Sequence, residues 1–293
     1  MLRRYTCTTT ATLHMISRRT LLRSGLATAG LGAGLAGYVW QIEPHWLEIV
    51  ARPLPIRGLP DALRGATLVQ VSDVHVGSRV ADAYVIETFE RVSALRPEIV
   101  VYTGDYISYR DGIVAHAAGV YDHAPQGRMA TVGVLGNHDY GPRWAHPEIA
   151  AQLASMLRDR GIDVIRAESR DVNGLQIVGM DDLWATPLNP ARALATADRR
   201  KATLVLSHNP DSVDLPGWDG FEGWILSGHT HGGQCKPPFL PPPILPVRNA
   251  RYTAGAFDLS GGRSLYINRG VGHLTQVRFN VRPEVTAFEL QAA

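Results

Sequence analysis

Two histidines two positions apart, His229 and His231, sit between glycines in Gly228-His229-Thr230-His231-Gly232-Gly233-Gln234, just behind the apolar run Trp224-Ile225-Leu226. In an extended segment such residues project to the same side, so both imidazoles can face one point. Imidazole is the commonest side-chain metal ligand. The glycines permit backbone conformations that other residues resist, and they leave room for close approach. Four further polar stretches follow short apolar runs in the same way: Ser72-Asp73-Val74-His75, Thr103-Gly104-Asp105-Tyr106, Gly136-Asn137-His138-Asp139 and Ser207-His208-Asn209-Pro210. Together the five supply Asp73, His75, Asp105, Asn137, His208, His229 and His231, all oxygen or nitrogen ligands. This set exceeds the needs of one ion and suits two that share a carboxylate. Two dications ~4 Å apart repel by roughly 16 kcal/mol at an effective dielectric of ~20. A bridging carboxylate and a bridging hydroxide offset that repulsion, and Asp105 is the natural bridge. Such a pair clamps the attacking and leaving oxygens of an in-line displacement at phosphorus and lowers the pKa of bound water toward ~7. The donor set suits manganese, iron or zinc better than calcium or magnesium.

These residues need elements to hold them. Ala66 to Val71, Ile99 to Tyr102, Met129 to Leu135, Thr203 to Leu206 and Trp224 to Leu226 read as buried strands, each running into one polar stretch. Trp46 to Pro55 reads as an edge strand, and short strands are expected around Val164-Ile165 and Leu175 to Val178. Helical spacing marks Ala81 to Leu95, Ile113 to Tyr121 and Pro147 to Arg160, with Pro97 stopping the first. Strands alternating with helices predict an α/β sheet sandwich, in which functional groups gather beyond the carboxyl ends of the strands. Pro237 to Pro246 is a proline-rich loop expected close to the site.

The chain has 293 residues, 45% of them hydrophobic and 19% charged, which excludes disordered and fibrous classes. Its formal charge of +2 is unevenly spread: Arg3, Arg4, Arg18, Arg19 and Arg23 all precede the first acidic residue, Glu43. Removing those five from 29 leaves 24 basic against 27 acidic side chains, so the body carries about −3 and no basic footprint for nucleic acid. Ser17-Arg18-Arg19-Thr20-Leu21-Leu22-Arg23 ahead of the uncharged run Ser24 to Trp40 has the layout of a secretory leader, and the paired arginines point to the twin-arginine kind. Five glycines weaken the run, and its 17 residues reach only ~26 Å against a ~30 Å hydrocarbon core, so a membrane-spanning helix is the weaker reading. The organisation expected is therefore a leader over 1–42, cleaved or retained as an anchor, and one catalytic domain over 43–293. Export by the twin-arginine translocase would leave the protein in the periplasm or on the outer face of the cytoplasmic membrane. Cys7 lies in the leader and Cys235 in the body, so no internal disulfide is expected after cleavage.

In their order, Asp73-x-His75, Gly104-Asp105, Gly136-Asn137-His138-Asp139, His208 and Gly228-His229-x-His231 make the chain resemble the calcineurin-like metallophosphoesterases. Ser207-His208-Asn209-Pro210-Asp211, His231-Gly232-Gly233-Gln234, Arg278-Phe279-Asn280-Val281-Arg282-Pro283-Glu284 and the leader are similar to one branch of that family. This is the branch of twin-arginine-exported bacterial phosphodiesterases related to UDP-2,3-diacylglucosamine hydrolases. The resemblance implies two packed mixed β-sheets flanked by helices. It implies that Asp73, His75, Asp105 and His231 hold one divalent metal, and Asp105, Asn137, His208 and His229 the other. It also implies that His138 contacts phosphate and protonates the leaving group, a step worth ~10²–10⁴ in rate, with Asp139 orienting its ring. The function implied is a phosphodiesterase or pyrophosphatase acting on a small-molecule, lipid-linked or nucleotide-sugar phosphoester. A phosphomonoesterase or protein phosphatase on the same scaffold is the alternative. A metal-dependent binding protein that has lost catalysis is a third, which the intact ligand set and His138 disfavour.

Other residues near the motifs carry weaker expectations. His273, in the glycine-rich Arg269-Gly270-Val271-Gly272-His273, is a candidate substrate contact, as is Tyr106. Tyr106 and Tyr140 directly follow metal motifs, where pocket lining and packing are both open. Asp181-Asp182 reads as a solvated turn rather than an extra metal site, and Cys235 as a small loop residue near the site rather than a soft metal ligand.

Overall fold

In the computed structural model, which describes residues 18–293 except Ser78 and Asp219, the apolar runs form two six-stranded sheets. The first has the order β1 (Glu48–Ile56), β12 (Glu284–Ala292), β2 (Thr67–Val71), β3 (Ile99–Thr103), β4 (Ala130–Val134) and β5 (Asp163–Val164). The second has β10 (Gly255–Asp258), β11 (Arg263–Ile267), β9 (Gly223–Ser227), β8 (Thr203–Leu206), β7 (Leu175–Gly179) and β6 (Glu168–Val172). Each sheet is mixed. β2 through β5 and β7, β8, β9 and β11 run parallel, while β12 lies antiparallel to β2 and parallel to β1.

Alternate residues on a strand face opposite ways, which sorts the core into layers. Leu68, Ile99, Val101, Val132 and Val134 of the first sheet meet Ile177, Leu204, Leu206 and Leu226 of the second. Their neighbours Val69, Val71, Val100 and Tyr102 face outward under α2 (Asp82–Ala94), α3 (Ile113–Tyr121) and α4 (Pro147–Arg158). Because both faces are covered, the central strands are buried nearly throughout, as parallel strands usually are. α2 buries Tyr84, Val85, Thr88, Phe89 and Val92, a stripe at helical spacing. Fully burying Val85, Phe89 and Val92 contributes roughly 1.5–3 kcal/mol each, and Phe89→Ala would cost about 3–5 kcal/mol. Polar groups also bridge the inter-sheet layer. Gln70 of β2 donates to Thr103 Oγ1 at 3.0 Å and to the Ser227 carbonyl of β9 at 2.9 Å, tying the sheets together below the polar loops.

The chain divides into two units, Met1–Tyr38 and Val39–Ala293. In the first, α1 covers Arg18–Gly37, with its described side chains exposed. Among the described residues no helix is long and apolar enough to cross a membrane. Arg3, Arg4, Cys7 and Ser17 of the leader lie outside the described residues.

Candidate metal centre

The five polar loops leave the carboxyl ends of β2, β3 and β4 in one sheet and β8 and β9 in the other. Their backbones are held in an uncommon state. Asp73, His75, Asp105, His229 and His231 all have positive φ, between 48° and 70°, a conformation costing on the order of 1–3 kcal/mol per non-glycine residue and found preferentially at functional sites. The turns close only because glycines flank them. A Cβ on Gly228 would stand 1.9 Å from Ser72 Oγ and 2.2 Å from Asp73 Oδ2, and one on Gly136 would stand 2.2 Å from Asp105 Oδ1.

The side chains converge in two buried clusters, Asp73–His75–His231 and Asp105–His208–His229, with the ligand atoms of each within 4.8 Å of one another. Each cluster draws on both sheets. His75 Nε2 lies 3.1 Å from His231 Nε2, and His231 Nε2 lies 3.4 Å from Asp73 Oδ1. In the other cluster His229 Nδ1 lies 3.1 Å from His208 Nε2. Asp105 Oδ2 stands between the two, 3.5 Å from His75 Nε2 and 3.2 Å from His208 Nε2. The outer ring nitrogens are occupied elsewhere: His208 Nδ1 with the Thr103 carbonyl at 2.7 Å, His229 Nε2 with the Pro246 carbonyl at 2.7 Å, and His75 Nδ1 with Ser108 Oγ at 3.1 Å. A donor bond on one nitrogen leaves the other as a free lone pair and fixes the ring's orientation, which is how ligating histidines are usually supported.

The buried charges show what this arrangement lacks. Burial pushes the Asp73 carboxyl up to about 7, and it drives the His75 and His229 imidazoles down to about 3. Burial also opposes charge on Asp105 and His208, but their mutual attraction wins, holding the carboxyl well below and the imidazole well above their ordinary values. Among the described residues no lysine or arginine bonds to Asp73 or Asp105; the basic side chains facing Asp105 Oδ2 are His208 at 3.2 Å and His75 at 3.5 Å. Asn137 is fully buried with neither amide atom hydrogen-bonded, where buried polar atoms normally find a partner. Imidazoles in facing pairs, buried carboxylates with no lysine or arginine bonded to them and an orphaned amide oxygen fit divalent cations.

Behind the first cluster lies Arg278, fully buried, its guanidinium 3.5 Å from His231 Nδ1. It donates to the carbonyls of Arg269, Gly270, Gly272 and Val281. Burial lowers its pKa to about 10, so it stays cationic at neutral pH.

Several expectations change. Asp139 does not orient His138: its oxygens accept the backbone N–H groups of Gly136, Asp105, Tyr106 and Ile107 at 2.8 to 3.2 Å, and so it shapes the Asp105 loop. Tyr106 is not a substrate contact, because its ring packs in the core between Tyr102 and Tyr121. Tyr140 is likewise buried. His273 is fully enclosed and bonds the Arg79 carbonyl at 3.0 Å, fastening a loop rather than meeting substrate. Asp182 is not solvated. It is buried, with one oxygen accepting from Trp184 N and Ala185 N and burial raising its pKa. Cys235 is free, half-buried and outside both clusters. His138 is half-buried, its ring edge-on to His75 at 5.1 Å and to Trp144 at 6.4 Å. Trp144 in turn meets Trp184 at 4.7 Å, and Trp184 meets His229 at 4.4 Å. This aromatic wall, running from His138 to His229, was not expected from the sequence; the one local sign is Trp144, shortly after Gly136-Asn137-His138-Asp139.

Residues 66–233, which contain all seven candidate ligands, match the model of the calcineurin-like phosphoesterase family. The phosphodiesterase YaeI of Escherichia coli is 32% identical over 284 residues, spanning 94% of this chain and 100% of that one. The metallophosphoesterase YkuE of Bacillus subtilis is 31% identical, with 92% of this chain and 94% of the other covered. The UDP-2,3-diacylglucosamine pyrophosphatase LpxG of Chlamydia trachomatis is 26% identical, with 88% and 94% covered.

Proposed function

The chain belongs to the calcineurin-like phosphoesterase family, metal-dependent phosphoester hydrolases, and on that premise we propose that it is a two-metal phosphodiesterase or pyrophosphatase. The observation that carries the reading is Asp105 Oδ2 standing between one nitrogen of each cluster. Asp73, His75, Asp105 and His231 would hold one divalent ion, and Asp105, Asn137, His208 and His229 the other. Manganese, iron and zinc all suit these donors. When bound, such a pair supplies Lewis acidity toward the phosphoryl oxygens and lowers the pKa of water at the site.

The chain's own groups supply orientation and a proton. The His138 backbone N–H donates to Asp105 Oδ1 at 2.9 Å, turning Oδ2 toward both clusters. The His138 ring, half-buried beside His75, hands its proton to the leaving oxygen. The Trp144–Trp184 wall excludes water on that side and offers a flat apolar surface to the leaving group. Relatives named as a phosphodiesterase and as a UDP-2,3-diacylglucosamine pyrophosphatase support a diester or diphosphate substrate with a lipid or nucleotide-sugar part.

The test compares bis-p-nitrophenyl phosphate with p-nitrophenyl phosphate in the presence of manganese, then UDP-sugars and lipid-linked diphosphates. Faster turnover of diesters or diphosphates is expected, and a clear monoester preference would overturn the diesterase reading. Within the same proposal, Arg18-Arg19 directs the folded enzyme through the twin-arginine translocase to the outer face of the cytoplasmic membrane. Replacing both arginines by lysine should trap it in the cytoplasm; unchanged export would remove that part.

A further inference from the structure

Among the described residues, ten large apolar side chains of the 39–293 unit are exposed, and seven of them fall in three short segments. Phe239, Leu240 and Ile244 project from the 236–246 loop, Phe239 fully and the others by 59% and 77%. Trp40, Ile42 and Trp46 are each about half exposed, and Leu274 is the seventh. The segments are neighbours in space. Residues 276–282 bond on one side to 234–236, through Lys236 N to Phe279 O and Phe279 N to Gln234 O. On the other side they bond to 39–46, through Arg278 N to Val39 O, Gln276 Nε2 to Trp40 O and Arg282 Nε to Trp46 O.

This belt also departs from the rest of the unit in charge. The unit as a whole has 24 basic and 27 acidic side chains. Segments 39–47, 236–251 and 274–282 carry Lys236, Arg248, Arg251 and the half-buried Arg282, with Arg278 and the single acid, Glu43, both buried. Glu43 is buried and accepts the Val281 N–H, so no carboxylate faces out of these segments. Six prolines in 236–246 restrict φ and keep the loop from folding its apolar residues inward. Apolar tips, interfacial tryptophans and cations together are the composition of a surface that lies on an anionic bilayer, whereas soluble monomers seldom leave such a patch uncovered.

We propose that this belt is a membrane-docking surface, with Phe239, Leu240 and Ile244 entering the headgroup–acyl boundary and Lys236, Arg248 and Arg251 meeting anionic lipid phosphates. The metal centre adjoins it: the loop's Pro246 carbonyl holds His229, and Arg278 stands behind His231. Docking therefore brings the centre to headgroup level, where a lipid-linked phosphoester presents its phosphorus. That consequence rests on the proposed function, but the docking itself does not.

The test uses the full chain and substrate-free vesicles of phosphatidylcholine, with and without about one third phosphatidylglycerol. Phe239→Ser/Leu240→Ser/Ile244→Ser should raise the lipid concentration for half-binding by at least ~10-fold. Lys236→Glu/Arg248→Glu/Arg251→Glu should abolish the preference for anionic vesicles. A tryptophan placed by Phe239→Trp in the otherwise unchanged chain should be quenched by lipids brominated along the acyl chain. That last measurement decides the matter if the leader helix alone holds the chain on vesicles: a bound chain whose added tryptophan is not quenched overturns the proposal. Serine variants that bind like the parent also overturn it, as does a parent that is dimeric without lipid and becomes monomeric with the serine substitutions. Bis-p-nitrophenyl phosphate turnover, read in parallel, should be unchanged in all variants, so loss of docking and failure of the catalytic reading are distinguishable.

Discussion

At the carboxyl ends of β8 and β9, His208 and His229 are buried beside Asp105, with rings fixed by backbone carbonyls. At the amino ends of the same strands, Thr203 and Gly223 border a cavity of ≈ 440 Å³. Its rim carries Arg57, Arg200 and Lys201, paired in the open with Glu222, Asp198 and Asp171. Exposed pairs of that kind are screened by solvent, and water satisfies whatever the partner does not. The other end has no such relief: its ring nitrogens and carboxylates converge in two buried clusters. The hollow end of the sandwich is chemically quiet, and the filled end is where charge is missing.

Substitutions can break or sharpen this contrast. Asp105→Asn removes the shared carboxylate and should lower diester turnover by ~10³-fold or more, with bound metal falling below two ions per chain on elemental analysis. Lys201→Ala at the opposite end should leave both within ~2-fold; a large loss there would erase the contrast. His138→Ala should reduce kcat by ~10²–10⁴ while metal content stays the same. Metal loss alongside would make His138 a ligand rather than a proton donor. The smallest effect concerns acid stability. Burial lowers His273 to about 4, so between that value and its ordinary ~6.5 the unfolded chain binds more protons and stability falls as pH drops. The parent should lose on the order of 1–3 kcal/mol of unfolding free energy across that window from this group. In urea titrations His273→Gln should flatten that slope; an unchanged slope would mean the ring gains its proton without opening the fold.

The gathering of Asp73, His75, Asp105, His208, His229 and His231 was legible because each follows a strand, and a strand's end is fixed by the apolar run before it. What surrounds them was not. Side-chain direction in these loops depends on positive φ at Asp73, Asp105 and His229, which no spacing rule supplies. Asp139 therefore turns from its expected partner toward four N–H groups, and Tyr106 turns inward while its predecessor Asp105 faces the site. Asp182 and His273 lie in polar stretches that read as surface yet are covered by chain distant in sequence. β6, β10, β11 and β12 were not among the strands expected from the sequence, and β12 is the longest of them. Its outer half alternates between buried and exposed positions, and its mixed composition gave no apolar run to follow.

That strand has a consequence for timing. β12 lies between β1 and β2, pairing Glu48 with Glu284 and Gln70 with Thr286. The sheet that carries Asp73 and Asp105 is continuous with β1 only once residues beyond 284 have been synthesised. Until then two open edges stand where one strand belongs, and pairing across more than 200 residues is slow to form. A nascent chain therefore cannot assemble the whole body from its first strands onward. The first sheet is completed only when β12 enters between β1 and β2.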